Sequence, residues 1–197
     1  MTIRGKRIAL VGDSQAQGLE APLGRLIARE GAELVSSFTR SGWSTARVVA
    51  QGRLPQLLRR RRIDRVVVVL GGNDRPRSLG AYRRDILSLV RQIERSGARV
   101  TWIGPAFSKR RDVERRHRTN AMLQRAILWG TGVRWIDSLP HTLSGHVRDR
   151  VHFTRRGYRR WATRIVSGLR PLIVPALLAA AFLILGSIRL GRGGSQR

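Results

Sequence analysis

Short runs rich in Val, Ile and Leu alternate along this chain with longer stretches of helical spacing. That alternation constrains the fold more than any other feature. Arg7 to Val11, Glu33 to Phe38, Arg65 to Leu70, Arg99 to Ile103 and Val133 to Ile136 read as strands. Gln17 to Glu30 reads as a helix, with Leu19, Leu23, Leu26 and Ile27 on one face. Thr45 to Arg61 is helical with a break expected at Pro55, and Leu79 to Arg95 carries Leu87, Val90 and Ile93 among its apolar residues. Val113 to Trp129 and Thr154 to Leu169 complete the helices, Thr154 being a suitable N-cap. Strands separated by helices pair in parallel, and the helices then cover both faces of the sheet. Arg65 to Leu70 is Val-rich, as a strand buried on both faces should be.

A chain of 197 residues with 42% apolar content can bury one full core, which argues against disorder. The expectation is one folded domain over 1–170, an apolar helix over 171–190 and a disordered basic tail over 191–197. The absence of cysteine excludes a disulfide framework and thiolate metal sites.

The formal net charge is +27, from 39 Lys and Arg against 12 Asp and Glu, and lysine occurs only at Lys6 and Lys109. A field of that size attracts polyanions such as nucleic acid, anionic lipid or an acidic envelope polymer. A compositional bias toward arginine accounts for the same numbers with no partner. The runs Arg59 to Arg62, Lys109 to Arg111 and Arg155-Arg156 are scattered, and few aromatic residues lie among them, so a base-stacking platform is not expected.

Met1 to Arg7 is polar, and the next apolar run is the first strand, so no secretory signal is read at the N-terminus. The run 171–188 carries no charge and is flanked by Arg170 and Arg189. As a helix it would extend about 27 Å, close to the roughly 30 Å hydrocarbon layer of a bilayer. Two readings stand: a short membrane anchor, with the folded domain on the cytoplasmic side, or a helix packed on the domain.

Chemistry concentrates in four places. Gly12-Asp13-Ser14-Gln15 follows the first strand, which sets a hydroxyl at the carboxyl end of that strand, where open α/β sheets build their sites. Asp149 and His152 supply a carboxylate and an imidazole three residues apart. A serine hydroxyl needs an adjacent base, and an imidazole oriented by a carboxylate is one. Gly71-Gly72-Asn73-Asp74 follows the third strand, so the Asn73 amide can donate to a developing oxyanion. Gly42, in Ser41-Gly42-Trp43-Ser44 after the second strand, offers a backbone N–H that a ligand can approach closely.

In this order these segments resemble the four motif blocks of the SGNH (GDSL-type) hydrolases over about Lys6 to Leu169. The resemblance implies a three-layer α/β/α, flavodoxin-like fold and ester hydrolysis by acyl-serine chemistry without a cofactor. It implies Ser14 as nucleophile, His152 as base and Asp149 as its partner. The Ser14 and Gly42 N–H groups and the Asn73 amide would form the oxyanion hole. Asp13 and Asp74 would hold loops. Gln15 stands where the family often has leucine, a change expected to matter little, and Arg150 adds charge between Asp149 and His152.

His117, His141 and His146 lack partners at metal-ligand spacing and are expected at the surface. Trp102, Trp129, Trp135 and Trp161 are expected in the core, with Trp43 a candidate wall of the substrate pocket. The leading expectation is a serine esterase acting on a small ester, such as an acetyl ester of a carbohydrate or envelope polymer. The competing one is a weakly active or inactive module of the same fold, attached to a polyanion or membrane by its basic surface and apolar tail.

Overall fold

The computed structural model describes residues 3–170; the expected helix at 171–190 and tail at 191–197 lie outside them. The strands are β1 (Arg7–Gly12), β2 (Glu33–Thr39), β3 (Arg65–Val69), β4 (Arg99–Ile103) and β5 (Arg134–Ile136). They form one sheet in the order β2-β1-β3-β4-β5, and every pairing is parallel. From β1 the chain moves outward to β2 and then returns past β1 to β3. This reversal opens a crevice at the carboxyl ends of β1 and β3.

The helices are α1 (Ser14–Arg29), α2 (Thr45–Ala50), α3 (Leu54–Arg60), α4 (Leu79–Glu94), α5 (Arg111–Leu128) and α6 (Arg155–Leu169). The strand period of two divides the core. Val67 and Val69 of β3 join Leu19, Leu23 and Ile27 of α1 and Trp161 and Ile165 of α6. Val66 and Val68 join Val48, Leu58, Ile86, Leu89 and Trp102 on the opposite face. The result is the expected three-layer sandwich. Each fully buried side chain of this kind contributes roughly 1.5–3 kcal/mol relative to exposure.

Element boundaries depart from the sequence reading for local reasons. α1 starts at Ser14, not Gln17, because Asp13 is a working N-cap: its carboxylate accepts from the Gln15 N–H at 2.9 Å. The stretch 45–61 divides into two helices, but Pro55 is not the break. Pro55 lies in the first turn of α3, where its missing N–H costs nothing, and the interruption falls at Gln51–Arg53 around Gly52 with φ +63°. Thr154 caps α6 as expected, accepting from the Gly157 N–H at 3.2 Å. Trp129 is a correction. It follows the last residue of α5 and is 82% exposed, because it stands four residues after Arg125 and seven after Met122, in line with the exposed face of the helix.

Candidate active site

Ser14 is the first residue of α1, immediately after β1 and the Asp13 cap. Its backbone N–H is one of the helix-start donors with no partner inside the helix. Gly12 makes this turn tight: a Cβ there would lie 2.3 Å from the Val69 carbonyl oxygen and 2.5 Å from Ala16 Cβ. Any other residue would push β1 away from β3 just where the Ser14 segment begins.

Asp149 and His152 sit on a pinned loop between β5 and α6. Val147 N–H donates to the His152 carbonyl at 2.9 Å, and Arg150 N–H to the Val147 carbonyl at 3.0 Å. Arg150 has φ +63°, a costly conformation for a residue with a Cβ. Its carbonyl is held by the Lys109 N–H at 2.8 Å and the Ser108 hydroxyl at 3.1 Å. The tight turn brings the Asp149 carboxylate back toward the ring it serves.

The sequence-expected trio is brought together. His152 Nε2 lies 2.8 Å from Ser14 Oγ, and His152 Nδ1 lies 2.6 Å from Asp149 Oδ2. A carboxylate only accepts, so Nδ1 carries the proton and the Nε2 lone pair faces the hydroxyl. Asp149 Oδ1 also accepts the N–H groups of Val151 and His152, each at 2.8 Å. Burial works against the charge on Asp149, but these N–H donors and the imidazole outweigh it and hold the carboxyl at about 2. Asp149 is therefore ionised at neutral pH and fixes the tautomer that lets His152 accept a proton.

The expected oxyanion donors lie on the neighbouring loops. Gly42 is exposed, in a turn after β2 with φ +74°, and the space where a Cβ would stand is open. Asn73 is tied to the Ser14 segment, since its Nδ2 donates to Asp13 Oδ2 at 3.0 Å and to the Trp43 carbonyl at 3.2 Å. The amide is thus fixed in orientation, and a developing oxyanion would compete with the Trp43 carbonyl for one of its hydrogens. Trp43 contributes that carbonyl rather than a pocket wall. Its ring is 8% exposed and packs on Phe38 with centroids 4.8 Å apart.

Asp13 and Asp74 do hold loops. Asp74 is 3% exposed and accepts from both the N–H and the hydroxyl of Thr45 at 2.7 Å, which ties the loop after β3 to α2. Burial raises its pKa against those bonds. Asp13 is 2% exposed, and burial pushes its carboxyl up to about 7 despite the Gln15 N–H.

Several supporting residues escape the motif reading. Gln15 is 6% exposed, and its side chain donates to the Val151 carbonyl at 2.9 Å and accepts from the Tyr158 hydroxyl at 3.1 Å. Gln15 touches none of the Ser14, His152 and Asp149 side chains, but it bridges α1, the Asp149–His152 loop and α6. His117 is corrected from surface to core. It is 2% exposed, and its Nδ1–H donates to the Ala106 carbonyl at 2.6 Å; burial pushes its pKa down. Asn120 and Gln124 share its inward face. Asn120 donates to the carbonyls of Gly71 at 2.8 Å and Asp74 at 3.0 Å, and Gln124 donates to the Leu70 carbonyl at 3.0 Å. The spacing 117, 120, 124 was the available signal, since it places three polar groups on one helical face. His146 is half-buried between Phe107 and Phe153, and His141 is exposed. Among the described residues no group of three or more His, Asp or Glu side chains is arranged to hold a metal ion.

The chain matches known proteins in sequence pattern and in fold. No curated protein matches it by sequence. Among solved structures, a lipase/acylhydrolase from Enterococcus faecalis superposes with TM-score 0.66 at 23% identity, covering 82% of this chain and 94% of that one. An aryl esterase from M. smegmatis gives TM-score 0.70 at 17% identity, covering 83% and 97%. An acetylxylan esterase from Geobacillus stearothermophilus gives TM-score 0.67 at 17% identity, covering 85% and 96%. At these identities the likeness speaks for the fold. The pattern of the GDSL-like lipase/acylhydrolase family matches residues 10–160, from the end of β1 into α6. This span contains Ser14, Gly42, Asn73, Asp149 and His152, and the chain belongs to that family and is an ester hydrolase.

Proposed function

We propose that the chain hydrolyses a small ester through an acyl-serine intermediate. The observation that carries this reading is the continuous relay from Ser14 Oγ to His152 Nε2 at 2.8 Å and from His152 Nδ1 to Asp149 at 2.6 Å. In this mechanism His152 takes the Ser14 proton as Oγ attacks the ester carbonyl, then gives it to the leaving alcohol. Asp149 balances the imidazolium formed in between. The Ser14 and Gly42 N–H groups and the Asn73 amide take up the charge on the carbonyl oxygen. Water, deprotonated by the same imidazole, then releases the acid.

The substrate we favour is a short acyl group, acetyl above all, on a carbohydrate or an envelope polymer. His152 and Asp149 keep 36% and 48% of their side-chain surfaces exposed, which suits a bulky alcohol portion reaching the site from solvent. The acetylxylan esterase among the fold neighbours fits this choice. The basic surface would favour an acidic polymer. Attachment at the cytoplasmic side of a membrane through 171–188 belongs to the same reading. Among the described residues no helix is long and apolar enough to cross a bilayer.

The test is turnover of p-nitrophenyl acetate against longer p-nitrophenyl acyl esters and acetylated xylan. Preference for acetyl, with Ser14→Ala inactive yet folded, supports the reading. Preference for long acyl chains would overturn the substrate choice, and equal activity of Ser14→Ala would overturn the mechanism.

A further inference from the structure

Four of the five strands begin on an arginine: Arg7, Arg65, Arg99 and Arg134. Because every pairing is parallel, all four lie at the end of the sheet opposite Ser14 and Asn73. Arg65 stands directly across from Arg99, and Arg134 pairs with Thr101 two residues further along the same face. Arg65 is half-buried and donates to the Thr101 hydroxyl at 2.9 Å; Arg134 donates to the Arg170 carbonyl. Among the described residues, none of Arg65, Arg99 and Arg134 forms an ion pair with a carboxylate. Burial, then the charges of Arg134 and Arg99, push the Arg65 guanidinium below its usual value.

Most carboxylates at this end are engaged. Asp64 pairs with Lys6, Glu33 with Arg7 and Glu30 with Arg170, which leaves Glu94 at the end of α4. A cavity of about 550 Å³ opens among Lys6, Arg62, Asp64, Arg65 and Arg99. Arg65 and Arg134 are half-buried while Lys6, Arg62 and Arg99 are exposed beside them, so the row presents a concentrated positive field to solvent that an outside anion would neutralise.

Two further features share this end. Trp129, 82% exposed, stands on the loop from α5 into β5 beside a second cavity of about 620 Å³. The described domain ends at Arg170, against Arg134, and the next residues in the sequence are the uncharged run 171–188.

We propose that the strand-start end of the sheet is a docking face for an anionic lipid bilayer. Lipid phosphates occupy the arginine row and its cavity. The Trp129 ring sits in the interfacial layer that tryptophan favours. The Ser14 loops, at the opposite end of the sheet, point away from the lipid. A nucleic acid would satisfy the arginines but would leave both Trp129 and the uncharged run without a role. The proposal rests on the membrane attachment proposed above, but the face shares no residue with the Ser14 site, so it stands or falls apart from the hydrolytic step.

The test is flotation of the full chain with vesicles of phosphatidylcholine alone or with roughly 30% phosphatidylglycerol, since anionic headgroups attract basic segments. The double substitution Arg62→Glu, Arg99→Glu should lower affinity for the anionic vesicles at least about tenfold. It should leave p-nitrophenyl acetate turnover unchanged. Trp129→Ser should lower affinity a few-fold. Arg83→Glu, Arg84→Glu, on the first turns of α4 at the opposite end, makes the same charge change and should cost much less. Equal losses for both double variants would overturn the proposal, because net charge and not this face would then be acting. Equal binding to neutral vesicles would overturn it in favour of the apolar run alone. Loss of duplex DNA binding with vesicle binding intact would reassign the face to nucleic acid.

Discussion

The Gln15 side chain donates to the Val151 carbonyl at 2.9 Å, linking the residue after Ser14 to the residue before His152. With Tyr158 on its Oε1 at 3.1 Å, it fixes the separation of the two halves of the relay. Gln15→Leu would keep the volume but leave the Tyr158 hydroxyl and the Val151 carbonyl without that partner. The expected stability loss is about 1–3 kcal/mol, the usual cost of a buried unsatisfied group. A fall in kcat of about tenfold with little change in KM is expected, as a misplaced base lowers the reactive population. Chemical denaturation and steady-state kinetics read the two effects. An unchanged kcat would make Gln15 a packing residue.

Asp13 should give the protein an unusual pH dependence. Its carboxyl is raised from an ordinary 3.8 to about 7 by burial, so between those values the folded state holds a proton that the unfolded state has lost. Stability should therefore fall as pH rises from about 4 to about 7. Asp149, held at about 2, acts in the opposite sense and only below pH about 4, where acid removes its contribution. Asp13→Asn keeps a cap oxygen for the Gln15 N–H and should flatten the Tm profile between pH 5 and 8. Part of the slope should survive, because Asp74 is also raised by burial. A Tm in the parent that rises across that window would contradict the assignment.

Asn73 tests the oxyanion hole. Asn73→Ala should lower kcat on the order of 10²-fold with a smaller change in KM, because an oxyanion donor acts mainly on the transition state. The same substitution frees Asp13 Oδ2 and the Trp43 carbonyl from the bonds they accept. Asn73→Asp keeps the shape but sets a second carboxylate beside Asp13. It should be at least as inactive and less stable above pH 7. Activity near the parent level in Asn73→Ala would leave Asn73 as a turn residue only.

The sheet and the motif positions were legible because each rests on local pattern. Val-rich runs alternating with helical spacing specify parallel strands, and Gly12-Asp13-Ser14 announces a strand end by itself. What was not legible depends on tertiary neighbours. Gln15 reads as an unremarkable polar substitution until Val151 and Tyr158 are beside it. His117 reads as a surface residue on an arginine-rich helix until α5 turns that face toward the loop after β3. Trp129 fails in the opposite direction. Its apolar neighbourhood suggested the core, but the helical register sets it in line with exposed Met122 and Arg125. The arginine row was hidden because its members are 34 to 58 residues apart in sequence, and only parallel register gathers them.

The central claim is that Ser14 is the nucleophile, activated by His152 and Asp149. The most direct measurement is labelling of the native full chain with a fluorophosphonate, followed by mass mapping of the modified peptide. A single adduct on Ser14 is expected, lost in Ser14→Ala, strongly slowed in His152→Ala and absent after unfolding. An adduct on another serine, or labelling of Ser14 at an equal rate in His152→Ala, would contradict the account.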